Sequence, residues 1–396
     1  MLSLLRARKE TTEFAFVTRF FEVMRKLTLK HPITISLVMV GLFGALATGI
    51  SRLNVENSFI DYFAQETRVY KELAFIDQQF GGSTPLDIIL KTESETDNNQ
   101  LVLKAGNVNQ LQLVQAAVNA FEATGSVTSV VNFTQLARQL NDDRPLTEYE
   151  LTTIYHLLDE KVVNQLIGSY FSAENNQLRI SVRVQDTTAG LDRADFLENL
   201  KQDIQTVGVE AQNVELTGLF VLYQDILSRL FDSQIKTLGI VYVVLGLVLL
   251  AIFRSVKIAL IALVPNILTT LGILGMIGWL AIPLDIMTIT IAAIAMGIAV
   301  DDTIHFLHAY LTGMKNGEGR TVAEKAGRSA FGHTGLAILF TTTIIAAGFS
   351  LFGFSDFIPS VNFGLLTATA MVMALITDIT LLPALLNKFV AKPKSA

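Results

Sequence analysis

Cysteine is missing altogether from the 396 residues. That excludes disulfides, thiolate metal sites and a cysteine nucleophile. It is compatible with an oxidising compartment without demanding one. Charge is also scarce. Only 17% of residues are Asp, Glu, Lys or Arg, against about 25% in an ordinary soluble domain. Positive charge is in deficit, with 30 Lys and Arg against 36 Asp and Glu and a net charge of −6, so no basic footprint points to nucleic acid. Gly81-Gly82 has no following Lys-Ser/Thr and reads as a turn, not a phosphate loop. No nucleophile–base motif of the usual kinds is visible, which argues against an enzyme. What the chain has instead is apolar surface: 51% of it is hydrophobic. The balance indicates an integral membrane protein with a sizeable water-facing part.

Residues 1–32 are basic, with Arg6, Arg8, Lys9, Arg19, Arg25, Lys26 and Lys30 interleaved by Phe14, Phe16, Val17, Phe20, Phe21 and Met24. This reads either as a cytoplasmic amphipathic helix on a membrane surface or as a linker whose charges serve topology. Residues 33–51 form the first apolar span. Ala45-Leu46-Ala47 resembles a signal-peptidase site, but the preceding segment is long, and a retained anchor is expected.

Residues 52–233 read as a water-facing α+β domain. Strands are expected at 85–90, 127–131, 178–184 and 214–217, and helices near 107–123, 133–140, 147–170 and 192–206, with a polar turn over 92–100. The β-α-β rhythm fits two small α+β subdomains. Asp142, Asp143 and His156 have polar, loop-like neighbours and read as a solvated face, not a metal cluster. After Gly218 a helix is expected to run straight into the membrane; residues 234–387 hold five more spans, near 237–253, 258–280, 286–310, 334–354 and 361–386, and 388–396 form a tail. Arg254, Lys257, Lys315, Arg320, Lys325, Arg328, Lys388, Lys392 and Lys394 all fall on one side, with the first 32 residues. The positive-inside rule then puts both termini in the cytoplasm and the large domain outside.

The fourth span carries Gly297-Ile298-Ala299-Val300-Asp301-Asp302-Thr303-Ile304-His305. Two adjacent carboxylates sit inside an apolar run of about 25 residues, long enough to cross a bilayer. Each acid costs roughly 2.5–3.5 kcal/mol at a helix centre, while each large apolar neighbour returns only about 0.3–0.6. Intramembrane acids mark ion or proton paths. If Asp301 instead capped a new helix, about 15 apolar residues would remain, too few to span easily. Asp301 and Asp302 point about 100° apart on a helix. His305 lies one turn from Asp301 and could serve a relay, or mark the interface with His308 and Tyr310. A zinc site from Asp301, His305 and His308 would ask one helix for a whole ligand shell, which is rare. No metal or cofactor is expected. Thr341, Thr342 and Thr343 in the fifth span could bond a carboxylate or hold water, or back-bond to their own helix. Asp378 could be an exit group or an interfacial acid. Gly272, Gly275, Gly278, Gly297 and Gly348 are expected to permit close helix packing.

This layout and the acid motif resemble one half of a resistance-nodulation-division (RND) transporter, nearest to the MMPL-type exporters of hydrophobic molecules. Matching stretches are Ala262-Leu263-Val264-Pro265-Asn266, Gly278-Trp279-Leu280-Ala281-Ile282-Pro283-Leu284, Thr341-Thr342-Thr343 with Ala347-Gly348-Phe349, Ser355-Asp356-Phe357, and Asp378 through Leu386. Gly81-Gly82-Ser83-Thr84-Pro85-Leu86 resembles the start of the external domain of a second, C-terminal half.

The resemblance implies an α-helical membrane protein with six transmembrane helices and an external α+β, ferredoxin-like βαβ porter-type domain between spans one and two. It implies proton-driven export of lipids or other hydrophobic or amphiphilic molecules at a bacterial cytoplasmic (inner) membrane. The expected relay is Asp301, Asp302, His305, Thr342, Thr343 and Asp378. Expected partners are membrane lipid, a hydrophobic substrate, and a second six-span half or a second copy, because family members carry two halves. The lysine that some relatives set opposite the acids has no counterpart: Lys236 sits at the outer edge of the second span. Two other functions share this topology, a SecD/SecF-like translocation accessory and a sterol-sensing-like membrane sensor.

Overall fold

The structure, a computed structural model, describes residues 15–54, 58–92, 105–139, 142, 144, 146–157, 168–172, 175–315 and 322–391. The basic residues before 15, most of the 92–100 turn, Asp143, the second half of the 147–170 helix, Arg320, Lys392 and Lys394 lie outside them. The chain divides into two compact units, residues 56–229 and residues 1–55 with 230–396.

The first unit holds α3 (Arg68–Gln79), β1 (Thr84–Lys91), α4 (Ala105–Asn119), β2 (Thr124–Thr128), α5 (Val130–Gln139), α6 (Glu148–Leu157), β3 (Phe171–Ser172), β4 (Gln177–Val184), α7 (Arg193–Thr206) and β5 (Val214–Thr217). The sheet order is β2-β4-β1-β5, with β3 also paired to β4, and every pairing is antiparallel. Alternation sets the register. Leu86, Ile88 and Leu90 of β1 stand opposite Val182, Ile180 and Leu178 of β4, and all six are buried. A strand sends alternate side chains to one face, and α4 and α7 cover that face. Val108, Leu111, Val114 and Val118 from α4 and Phe196, Leu200 and Ile204 from α7 join the same core. The strand expected at 127–131 is shifted. β2 ends at Thr128, and Ser129 turns the chain by accepting from Val131 N–H at 3.0 Å while Asn132 Oδ1 accepts from Ser129 N–H at 2.9 Å. Capping by these short polar side chains overrides the β-branched run.

Two buried acids fix this unit's loops. Asp77 accepts from Ser83 N–H and O–H (2.8 and 2.6 Å), Asp186 N–H (3.0 Å) and Thr187 N–H and O–H (2.9 and 2.7 Å). Asp186 pairs with buried Arg193 and takes Phe59 N–H and Ser58 O–H, which seats the segment before α3. Burial alone would raise the Asp77 carboxyl, but the hydrogen bonds from Ser83, Thr187 and Asp186 together hold it below the ordinary aspartate value. A lowered folded pKa means stability that is complete above the unfolded pKa of about 3.9 and lost as pH falls through the folded value. Hydrogen exchange of the β1 amides should show that acid limb in the full-length protein. In Asp77→Asn the amide turns a donor toward donors, so protection should already be about 1–3 kcal/mol weaker at neutral pH and the Asp77 limb absent. Wild-type protection in that variant would refute the assignment.

The second unit contains α1 (Ala15–Lys30), α2 (Pro32–Ala47), α8 (Leu219–Phe253, shared across the unit boundary), α9 (Val256–Trp279), α10 (Ile291–Lys315), α11 (Val322–Ser329), α12 (Gly335–Ser350) and α13 (Ile358–Phe389). Among the described residues, six helical segments are long and apolar enough to cross a membrane: 32–52, 219–253, 256–279, 288–315, 322–354 and 358–389. The helix of the second span starts well before its apolar run. Gly218, at φ +102, releases the chain from β5, and an Asp225–Arg229 pair four residues apart (2.8 Å) supports the polar turns. The most enclosed helix is α13, which packs against α2, α9, α10 and α12. One side of α1 is also seated on the bundle. Phe21 meets Phe331, Arg25 reaches Glu324 at 3.8 Å, and Asn387 accepts from Tyr310 O–H (2.5 Å) while donating to Thr28 C=O (3.3 Å). Its other apolar stripe, Phe16, Phe20, Val23 and Leu27, is exposed.

Three of the five expected packing glycines are close contacts. A Cβ at Gly272, Gly275 or Gly278 would collide with Phe43 or with the backbone of Leu46 or Gly49. Gly297 and Gly348 have nothing within 4 Å of a Cβ, while Gly49 and Gly364, not singled out in the sequence, are tightly enclosed. The expectation therefore fails for Gly297 and Gly348: spacing shows which glycines are helical, not which of them meet a neighbour.

Candidate functional site

The acid-bearing helix is anchored just before it begins. Asp285 accepts from Met287 N–H (2.8 Å) and Thr288 N–H (2.7 Å), and Thr288 Oγ1 accepts from Asp285 N–H (2.8 Å). This reciprocal cap satisfies helix-start donors that would otherwise be buried and unpaired. Burial raises the Asp285 carboxyl, opposed by the bonds from Thr288 and Met287. Leu284 N–H donates to Asn54 C=O at 2.8 Å, tying the cap to the end of the first span.

From this fixed start, three successive residues of α10 point in three directions, as about 100° per residue requires. Asp301 points outward with its side chain 74% exposed, and its Oδ1 lies 3.4 Å from His305 Nε2, itself 66% exposed. Asp302 is half-buried and turns to α12, where buried Thr342 donates to its Oδ2 at 3.1 Å. Thr303 is buried between α9 and α13. Its Oγ1 donates to Asp378 Oδ1 at 2.8 Å, with Ala299 C=O as a second acceptor at 3.2 Å, and accepts from Asn266 Nδ2 at 3.1 Å.

Asp378 and Asn266 are 1% and 3% exposed. Asn266 follows Pro265 inside α9, and its Nδ2 also donates to Ala262 C=O at 3.1 Å. Tyr242 of α8 extends the polar group, donating to Thr270 Oγ1 at 2.6 Å with Asn266 C=O at 3.2 Å. Thr269 and Thr377 hydroxyls meet at 3.2 Å on the same α9–α13 contact. Two side-chain oxygens of this polar group, Asp378 Oδ2 and Asn266 Oδ1, have no hydrogen-bond partner among the described residues.

The sequence-derived residues thus separate into three settings. Asp302 and Thr342 touch, and Asp378 lies within electrostatic reach of Asp302. Asp301 and His305 form an exposed pair on the outer side of α10. Thr343 is exposed and donates to Leu339 C=O at 2.7 Å, back-bonding to its own helix; Thr341 donates to Ile338 C=O at 2.9 Å and also lies beside the Asp302 carboxylate. Sequence reasoning missed Thr303 and the role of Asn266, although both stand in the quoted motifs. An amide in the middle of an apolar span was the available signal. Among the described residues no three His, Asp or Glu gather to hold a metal ion. The chemistry available is a graded set of acids, exposed Asp301, half-buried Asp302 and enclosed Asp378, of which Asp302 takes a hydroxyl from Thr342 and Asp378 one from Thr303.

Comparison with known proteins agrees with this architecture. The model of the MMPL family matches residues 61–392. A Methanocaldococcus jannaschii protein named "putative membrane protein" is 22% identical over 366 residues, covering 88% of this chain and 89% of that protein. The hopanoid transporter HpnN of Burkholderia multivorans is 30% identical over 184 residues, covering 44% of this chain and 20% of that protein.

Proposed function

Since this chain belongs to the MMPL family, we propose that it is a membrane transporter that exports hydrophobic or amphiphilic molecules, lipids among them, driven by the proton-motive force. The observation that carries the proposal is the acid series on α10 and α13 inside membrane-spanning helices. Ionisable groups there are expensive and serve ion paths. The similarity to a hopanoid transporter supports a lipid-like substrate and favours export over a translocation accessory or a sensor. Protons would pass among Asp301, His305, Asp302, Thr342 and Asp378, with Thr343 at the margin. Each proton crossing supplies about 2.3 kcal/mol per 100 mV.

The strand-helix-strand order, twice repeated with sheet order β2-β4-β1-β5, supports a ferredoxin-like porter domain. The distribution of Lys and Arg supports placing it outside a cytoplasmic membrane, with both termini inside. The exposed Asp301–His305 pair supports a partner. Charged groups at membrane depth face protein or water, so a second copy or a second half would cover this side of α10.

The test is the full-length protein in proteoliposomes with an imposed pH gradient and a fluorescent lipid as cargo. Lipid movement should follow the gradient, stop when an ionophore collapses it, and weaken severalfold in Asp301→Asn. Movement indifferent to the gradient would refute proton drive, and no movement of any lipid offered would refute the export reading.

A further inference from the structure

We infer that Asp378, Asn266 and Thr303 form a proton seat complete within a single six-span chain. Asp378 holds the proton on Oδ2, and Asn266 Oδ1 is the acceptor that receives it. This deepens the proton-driven reading and rests on it for what the proton is used for, though not for its presence.

The unpartnered oxygens carry the inference. Asp378 Oδ2 and Asn266 Oδ1 are both acceptors, both belong to side chains at least 97% buried, and neither has a donor among the described residues. Their side chains meet at one hydroxyl, 2.8 Å from Asp378 Oδ1 and 3.1 Å from Asn266 Nδ2. A native interior rarely leaves two acceptors facing no donor. An ionised carboxylate in an apolar surrounding neutralises unless it is paired. Among the described residues, the ionisable group that bears on Asp378 is Asp302, another acid.

A proton resolves both defects at once. A protonated carboxyl has one O–H donor, and a neutral amide oxygen is the acceptor it lacks. Flipping the Asn266 amide would not help, because its Nδ2 already serves Ala262 C=O and Thr303 Oγ1. Thr303 cannot satisfy everything either, since its single proton is contested by Asp378 Oδ1 and Ala299 C=O.

The seat draws on α9, α10 and α13 of one chain. Exposed Asp301 and His305 lie on the side of α10 left for a partner. The two settings therefore separate experimentally. Infrared difference spectra of the full-length protein, one chain per lipid nanodisc at neutral pH, should show the carbonyl stretch of a protonated carboxylic acid. The band should disappear in Asp378→Asn, shift in Asn266→Leu, where the acceptor is gone, and persist in Asp301→Asn. If Asp378→Asn fails to fold, the shift in Asn266→Leu decides, because Asp378 itself is intact there. A band that survives Asp378→Asn, a wild-type spectrum without one, a band seen only in discs holding two chains, or one abolished by sodium ions would each overturn the seat. Export without the band would sink this inference and spare the exporter reading; the band without export would do the reverse.

Discussion

Asp302→Asn is expected to give a folded protein whose gradient-driven lipid export falls to the level of protein-free vesicles. Asparagine keeps the shape of aspartate and an oxygen that can accept from Thr342 O–H, the contact now at 3.1 Å. What it loses is the ability to take up and release a proton. Asp302 is intermediate in burial between an exposed acid and an enclosed one and lies within electrostatic reach of Asp378, and the proposed proton path runs through it. Thr342→Val is expected to do less, since it removes one hydroxyl and leaves the titrating group in place. The check is cargo movement and pH-gradient decay in the same vesicles, with circular dichroism confirming the helical content. If Asp302→Asn retained more than half of wild-type export, Asp302 would be a bystander.

The second large effect concerns the crossing of the first and third spans. Replacing Gly275 by leucine should separate α2 from α9. A Cβ at 275 would press on the carbonyl of Leu46 and the Cα of Ala47, one at 278 on the carbonyl of Gly49, and one at Gly49 on the carbonyl of Gly275 from the opposite side of the same crossing, all inside 3.0 Å. Overpacking a flexible side chain typically costs about 1–3 kcal/mol. Here backbone meets backbone and nothing can turn aside, so a loss of at least about 3 kcal/mol is expected. Thermal unfolding in detergent should show it, and Trp279, stacked under Arg52 at 4.1 Å, should become more exposed to a quencher. Gly297→Ala is the control. A Cβ there meets nothing within 4 Å, and alanine is the better helix former by about 1 kcal/mol, so the isolated protein should be unharmed. Equal damage from both substitutions would mean that helix propensity, not the crossing, sets the stability.

The two glycines look alike in the sequence, which shows where reading a chain stops. Long apolar runs and basic connectors are local properties, so the six spans were legible to within a few residues at most ends. The strands at 178–184 and 214–217 were legible because alternation is local too. So was the start of α8, because Gly218 breaks the chain after β5 and a helix follows it straight into the second span. The division of labour among the acids was not. Asp301 and Asp302 are chemically identical and adjacent, and only the positions of α12 and α13 make one exposed and the other a partner of Thr342. Thr303 went unassigned for the same reason: a lone threonine in a span usually bonds its own helix, as Thr343 does.

The fan of residues 301, 302 and 303 has a consequence for how this protein can change over time. Each position addresses a different neighbour, and the spacing between addresses is one residue. A codon gained or lost just upstream would turn all three by about 100° and present every side chain to the wrong helix, while the apolar character of the span stayed the same. Such a change would pass any hydropathy filter and still destroy the site. The turn is therefore inherited, or transplanted into another six-span scaffold, only as one block in one frame.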